Sequence, residues 1–221
     1  MESTFNGSKI YWKNEVVRGN LKWPDPHIIK FVNRNFKKEL RPKITILDFG
    51  CGAGRNAVAL KEEGFQVIAM DYNKEGLELL KQKSKENIKC VVNSGVDILL
   101  EEESVDVIIA SGSLMYCNHE KRIQLLKNLK KVLKPEGLFW ADWRSKEDSL
   151  YDTGRCIEEG FYLLNEDSRG RNGVAYYFTD KNELKKLYEK SGFTIESIDR
   201  CSYTENNEEA INSWYHVVAK R

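Results

Sequence analysis

The chain predicts an α/β fold: a mostly parallel sheet of seven strands, helices on both faces, and an antiparallel hairpin at the carboxyl end. Three observations carry this. From residue 44 onward, apolar runs alternate with helical periods, the βα pattern of a parallel sheet. The first run ends in Asp48-Phe49-Gly50-Cys51-Gly52-Ala53-Gly54, an acid and a glycine-rich turn ahead of a helix-forming stretch. The second run, Gln66-Val67-Ile68-Ala69-Met70, is closed by Asp71. That acid lies about 20 residues past the first glycine, where a ribose-binding carboxylate sits in a mononucleotide-binding βαβ unit.

The elements follow in order. Residues 44–50 read as the first strand and 55–63 as a helix; 66–71 form the second strand. A helix over 74–85 places Leu77 and Leu80 on one face, and residues 88–93 are the third strand. Residues 105–110 are apolar throughout except Asp106, as in a buried parallel strand. Ile123, Leu126, Leu129, Val132 and Leu133 recur at helical spacing over 120–133. Lys134-Pro135-Glu136-Gly137 stops that helix, and 138–143 form the fifth strand. Asp180 and Glu183 stand at capping-box spacing for a helix over 180–191, with Gly192 at its exit. Residues 193–202 and 214–219 complete the sheet as the hairpin.

Two segments fall outside this core. Residues 1–43 hold Tyr11, Trp12, Trp23-Pro24-Asp25-Pro26 and an amphipathic stretch over 28–36, an N-terminal helical cap. Residues 144–178 interrupt the core after the fifth strand. Long insertions in compact domains are usually functional or disordered, and this one is aromatic enough to be ordered. Residues 161–164 and 174–178 flank Ser168-Arg169-Gly170-Arg171-Asn172-Gly173, a hairpin with a glycine-rich loop. Both segments can fold over the carboxyl ends of the strands, where ligands bind in open α/β sheets. Residues 144–178 therefore read as a substrate lid on a single domain of 44–143 (core) and 179–221 (terminal helix and hairpin).

Composition sets bounds. A length of 221 residues suits one α/β domain. A formal net charge of +1 gives no overall basic field for nucleic acid. No apolar stretch approaches a membrane span, and the N-terminus is polar. Cysteines at 51, 90, 117, 156 and 201 form no C-x-x-C pair. That pattern fits the cytoplasm and argues against a disulfide framework or a zinc site.

The glycine spacing narrows the ligand. A dinucleotide fingerprint is G-x-G-x-x-G, but Arg55 occupies the third glycine's place and Gly54 precedes it. Asp-x-Gly-x-Gly-x-Gly ending one strand, with Asp71 ending the next, resembles the class I S-adenosylmethionine-dependent methyltransferases. Gly54-Arg55-Asn56, Leu60, Gly64, Val67 and Asp71-Tyr72-Asn73 resemble the branch of the tellurite-resistance and thiopurine methyltransferases. The likeness covers about residues 44–140 and returns weakly over 178–193.

The resemblance implies a Rossmann-like fold, S-adenosyl-L-methionine as cofactor, S-adenosyl-L-homocysteine as product, and no metal. It implies that Gly50, Cys51, Gly52 and Gly54 let backbone approach the methionine portion. Asp48 then meets the ammonium group, directly or through water, and Asp71 takes the ribose diol. Tyr72 and Ile98 would cover the adenine, and Asp97 would read its amino group or cap a turn. Ser111 and Gly112 end the fourth strand beside the methionine. Arg55 and Asn56 look branch-specific, Arg55 pairing with the cofactor carboxylate or with a surface acid. Trp12 covers the cofactor or packs in the core.

Methyl transfer from a sulfonium is in-line displacement, so positioning and water exclusion suffice for many acceptors. Where a base is needed, the candidates are Asp142, which also suits an amine, then His119 and Tyr116. In and near the insertion, Arg144, Arg169, Arg171, Tyr177 and Tyr11 offer charge and rings for an acceptor, an anionic one included. A solvated hairpin is the plain alternative. The reading is methyl transfer to a small molecule. The alternatives are a protein or RNA methyltransferase and a non-catalytic cofactor-binding subunit. A nicotinamide-dependent reductase is disfavoured by Arg55. The absence of an Asn-Pro-Pro-Tyr or Asp-Pro-Pro-Tyr run after the fourth strand argues against a nucleic-acid amino group.

Overall fold

The computed structural model describes residues 2–18, 22–84, 87–93, 95–165 and 171–221. Ten strands form one sheet. The parallel part runs β3 (Lys89–Val92), β2 (Gln66–Asp71), β1 (Thr45–Phe49), β4 (Val105–Ala110) and β5 (Leu133–Ser145). The order reverses between β1 and β4, which opens a crevice at the carboxyl ends of the strands. The hairpin of β9 (Thr194–Glu205) and β10 (Ala210–Lys220) pairs antiparallel on β5, with His216 opposite Asp142 and Trp214 opposite Arg144.

Alternation along the strands builds two cores. Ile46, Val107, Ile109 and Trp140 face α2 (Pro26–Asn35), α3 (Arg55–Glu62) and α4 (Lys74–Lys83). Leu47, Phe49, Ile108, Phe139 and Trp143 face α5 (His119–Val132) and α6 (Lys181–Lys190). α2 buries Ile28, Phe31 and Val32 under the sheet, each worth about 1.5–3 kcal/mol. Pro26 at its first turn and Asp25 as N-cap, accepting from the His27 N–H at 2.8 Å, fix where it starts. The expected capping box at Asp180 and Glu183 is present. Among the described residues, no helix is long and apolar enough to cross a membrane.

The structure changes two expectations. The fifth strand begins at Leu133, not at residue 138, because Leu133 already pairs with Val105 before an irregularity at the turn. The insertion extends the sheet instead of standing outside the core. β6 (Arg155–Glu158), β7 (Phe161–Leu163) and β8 (Ala175–Thr179) form an antiparallel set, and β8 joins β5 in parallel through Arg144–Phe178 and Ser145–Thr179. β5 outruns β4, so its last residues have a free edge that β8 takes up. Upstream, α1 (Glu2–Arg18) lies against α4 and β8. The Ser8 hydroxyl accepts the Ala175 N–H at 2.9 Å, tying the N-terminal helix to the insertion.

Candidate functional site

A cavity of about 2000 Å³ opens at the switch point and runs from the glycine loop to the far end of β5. The loop is shaped by the chain that follows β1. The Gly50 and Cys51 N–H groups both donate to the Met70 carbonyl, at 2.8 and 3.1 Å. Gly50 has φ +75°, and a Cβ there would stand 2.4 Å from the Ser113 Cβ. Gly54 has φ +80°, and its Cβ would meet the Leu80 side chain at 2.3 Å. A side chain at either position would be strained and would collide with its neighbour.

Asp71 ends β2 and holds the loop. Oδ2 accepts the Gly52 N–H and Oδ1 the Asn73 N–H, both at 2.8 Å. Burial raises its carboxyl from the ordinary range, and the N–H groups of Asn73, Gly52 and Tyr72 oppose that. Each oxygen keeps lone pairs for a diol. Asp48 is 1% exposed, and its Oδ2 has no partner. Burial pushes its carboxyl up to about 7, with Arg55 opposing, Asp71 adding and the Ala57 N–H opposing. Cys51 lines the cavity as a neutral thiol, raised by burial and by Asp48 and Asp71.

Asp48 stands behind the cavity wall, and polar atoms on the wall itself are orphaned. The Trp12 indole N–H, the Asn73 amide nitrogen and the Ser113 hydroxyl are buried and without partners. An ammonium group for Asp48, acceptors for Trp12 and Asn73, and a flat cradle at Gly50 and Gly54 are what an amino-acid nucleoside brings. The residues therefore fit S-adenosylmethionine.

Several predicted residues do more than was expected of them. Arg55 donates from Nη1 to the Trp23 carbonyl at 3.1 Å, and the Asn56 side-chain oxygen accepts the Asp25 N–H at 2.9 Å. The pair straps the segment before α2 onto the start of α3, while both still line the cavity. Tyr72 lines it too, its hydroxyl donating to the Lys9 carbonyl at 3.3 Å. Asp97 is exposed on the wall, with a long contact of 3.4 Å from the Asn128 amide. Asp142 accepts the Gly112 N–H on Oδ1 at 2.6 Å and the Ser111 hydroxyl on Oδ2 at 3.1 Å. It thus fixes the corner after β4. Burial pushes its carboxyl up to about 6, with Gly112 opposing and Asp25 adding.

Other predicted residues fall elsewhere. His119 is exposed at the start of α5, off the cavity wall, its N–H donating to the Glu158 carboxylate. Tyr116 lines the cavity, but burial pushes its hydroxyl well above 10, so it is a neutral donor and no base near neutrality. Ile98 packs on the core instead of the wall, and Val96 reaches the cavity. Tyr11 packs edge-on to Trp12 behind the wall, at 5.3 Å. Tyr177 faces away: its ring lies 3.4 Å from the buried Arg122 guanidinium and 6.3 Å from Trp143. Strand alternation puts Tyr176 on the cavity side. Arg144 and Arg171 line the cavity, and Arg169 lies outside the described residues.

Asp25, His27, His216, Trp214 and Ser113 also line the cavity and were not foreseen. His216 lies 4.3 Å from His27 and 5.3 Å from Trp140, ring centre to ring centre. Burial lowers its imidazole, His27 lowers it further, and Asp25 and Asp199 oppose. His216 and Trp214 reach the site through their register against Asp142 and Arg144, which no local signal announces.

A doubly wound sheet with this loop and these two acids at its switch point defines an S-adenosylmethionine-dependent methyltransferase. The methyltransferase domain model matches residues 47–141. An uncharacterized methyltransferase of Schizosaccharomyces pombe is 30% identical over 83% of this chain and 68% of its own length. The chain belongs to the methyltransferase domain family. A tRNA N(3)-methylcytidine methyltransferase of Drosophila melanogaster is 26% identical over 72% of this chain, which spans only 51% of that protein. Among solved structures, a SAM-dependent methyltransferase from Methanosarcina mazei aligns at TM-score 0.71 and 18% identity, over 86% of this chain and 96% of its own. A 1,6-didemethyltoxoflavin-N1-methyltransferase from Burkholderia thailandensis, with 1,6-didemethyltoxoflavin and S-adenosylhomocysteine bound, aligns at TM-score 0.64 and 19% identity, over 95% of this chain and 86% of its own.

Proposed function

We propose that the protein methylates a small molecule in the cytoplasm, and that the acceptor carries an anionic group. One observation carries the small-molecule reading: the cavity continues past the glycine loop into a pocket walled by Trp12 from α1, Tyr116 after β4, and Arg171 and Tyr176 of the insertion. Single-ligand sites occupy about 300–1,000 Å³, so about 2000 Å³ holds a cofactor and a modest acceptor together.

Bound in this site, the cofactor supplies an electrophilic methyl carbon already activated by its sulfonium. The protein's work is then positioning. Gly50, Gly52 and Gly54 admit the methionine backbone, Asp48 answers its ammonium, and Asp71 holds the ribose. Asp97 stands at the adenine end. Asp142 fixes Ser111 and Gly112 beside the reacting centre. As a carboxylate ionised at neutral pH, it also serves an amine acceptor or takes a hydroxyl proton. Trp12 and Tyr116 exclude water, and Arg144 and Arg171 hold the anionic group.

A second reading, RNA methylation, draws support from the relatives named for tRNA methylation. The walled pocket and the net charge of +1 weigh against it. Transfer of a radiolabelled methyl group separates the two. A panel of small amines, acids and phenols is assayed beside total tRNA. The small-molecule reading expects label in the panel and none in RNA; label in RNA alone would replace it.

A further inference from the structure

The acceptor end of the cavity allows the substrate class to be narrowed, an inference that rests on the proposed function. Arg144 is 2% exposed. Its Nη1 donates to Asp148, whose carboxylate also receives the Ser213 N–H at 3.0 Å and the Leu150 N–H at 2.9 Å. Its guanidinium lies 4.2 Å from the Trp214 ring centre and 5.1 Å from that of Tyr176. Its Nε has no partner among the described residues. A buried donor on a cation left unsatisfied is costly, and this one sits on a cavity wall.

Arg171 approaches the same place from the insertion. It lies within electrostatic reach of Tyr176, Tyr116 and Asp148, and its Nε is also buried and without a partner among the described residues. Asp148 answers one of the two positive charges. Asp142, the next acid along β5, has both oxygens engaged by Ser111 and Gly112. Neither acid takes up the two arginine Nε donors, which are left for a ligand. Three rings share the cavity wall with the arginines: Tyr116 is tilted to Tyr176 at 5.2 Å and edge-on to Trp12 at 5.8 Å.

We propose that the acceptor is an aromatic carboxylate, its carboxylate bridging the Nε groups of Arg144 and Arg171 and its ring lying against Tyr116 and Trp12. A planar, singly charged group matches the flat guanidinium edges and the two orphaned Nε donors. A phosphate would bring more negative charge than the wall answers. A ring gains from aromatic walls what an aliphatic chain would not. The methyl-accepting atom then sits on the ring's far side, toward Asp142 and Ser111.

Benzoate is the probe. It is titrated by calorimetry into the chain, both free and saturated with S-adenosylhomocysteine, beside acetate, benzyl alcohol and inorganic phosphate. Benzoate is expected to bind about tenfold more tightly than acetate or benzyl alcohol, because both the charge and the ring are recognised. Arg171→Ala should weaken benzoate about tenfold and leave S-adenosylhomocysteine affinity within about twofold. Arg171→Lys should recover only part, since it restores charge without the planar fork. Benzoate binding no better than benzyl alcohol, phosphate binding more tightly than benzoate, or an Arg171→Ala variant with unchanged benzoate affinity would each overturn the proposal. Intact S-adenosylhomocysteine binding alongside such a failure leaves the methyltransferase reading standing. Loss of that binding with benzoate retained would instead count against the cofactor site.

Discussion

At the residue scale the two acids of the proposed cofactor site have different tasks. Asp71 holds the loop and, in the proposed binding mode, offers spare lone pairs to the ribose, so both losses follow its removal. Asp71→Ala should weaken S-adenosylhomocysteine binding by about 2–3 kcal/mol in calorimetry while the far-UV spectrum stays native. Asp71→Asn, which keeps an acceptor oxygen for one loop N–H, should lose less. Equal affinity in the Ala variant and the parent would reduce Asp71 to a turn cap. Asp48 is the pH-sensitive one, its carboxyl pushed up to about 7 by burial. Its folded-state value lies above its unfolded one. Its contribution to stability is therefore full at low pH and is lost as pH rises through about 7. A cofactor ammonium favours the charged form and lowers that value, so binding releases a proton. Affinity for S-adenosylhomocysteine should climb by up to about tenfold per pH unit between about pH 5 and 7, then level off. Calorimetry in buffers of differing ionisation enthalpy reads the released proton, and Asp48→Asn should abolish its larger part. Proton uptake on binding would reverse the assignment.

At the scale of elements, the strap between the N-terminal segment and α3 explains two residues that the motif alone could only mark. Arg55 and Asn56 were legible as unusual for their place in the loop. Their partners, the Trp23 carbonyl and the Asp25 N–H, come from a segment whose path no periodicity encodes. Asn56→Ala leaves the Asp25 N–H without an acceptor beside the cap of α2. It should cost about 1–2 kcal/mol, a fall in Tm of about 2–8 °C for a chain of this size. A melting curve identical to the parent would mean that the strap is held by Arg55 and the packing of α2 alone. The insertion and α1 meet through Ser8 and Ala175 and wall the proposed acceptor pocket from two sides. Hydrogen exchange should show protection of both on S-adenosylhomocysteine binding. Unchanged exchange in both would make them a fixed rim.

At the scale of the molecule, the fold was legible where spacing is local. The glycines after β1, Asp71 after β2, the apolar run of β4 and the cap at Asp180 each fix an element without reference to anything distant. What could not be read were consequences of register. Two-residue alternation decides that Tyr176 and not Tyr177 faces the cavity, yet the sequence does not say which face β8 presents until β8 is known to pair with β5. His216 and Trp214 become site residues only because β10 sets them opposite Asp142 and Arg144. The insertion read as a lid because its aromatic strands were visible and the free edge of β5 was not.

The central claim is that the switch-point crevice is built for an adenosyl amino acid and not for a dinucleotide. Parallel titrations of the purified chain with S-adenosylmethionine, S-adenosylhomocysteine and NAD test it most directly. Both adenosyl ligands should bind with one site per chain, and NAD should give no saturable heat. NAD binding more tightly than either adenosyl ligand would contradict the account at its root.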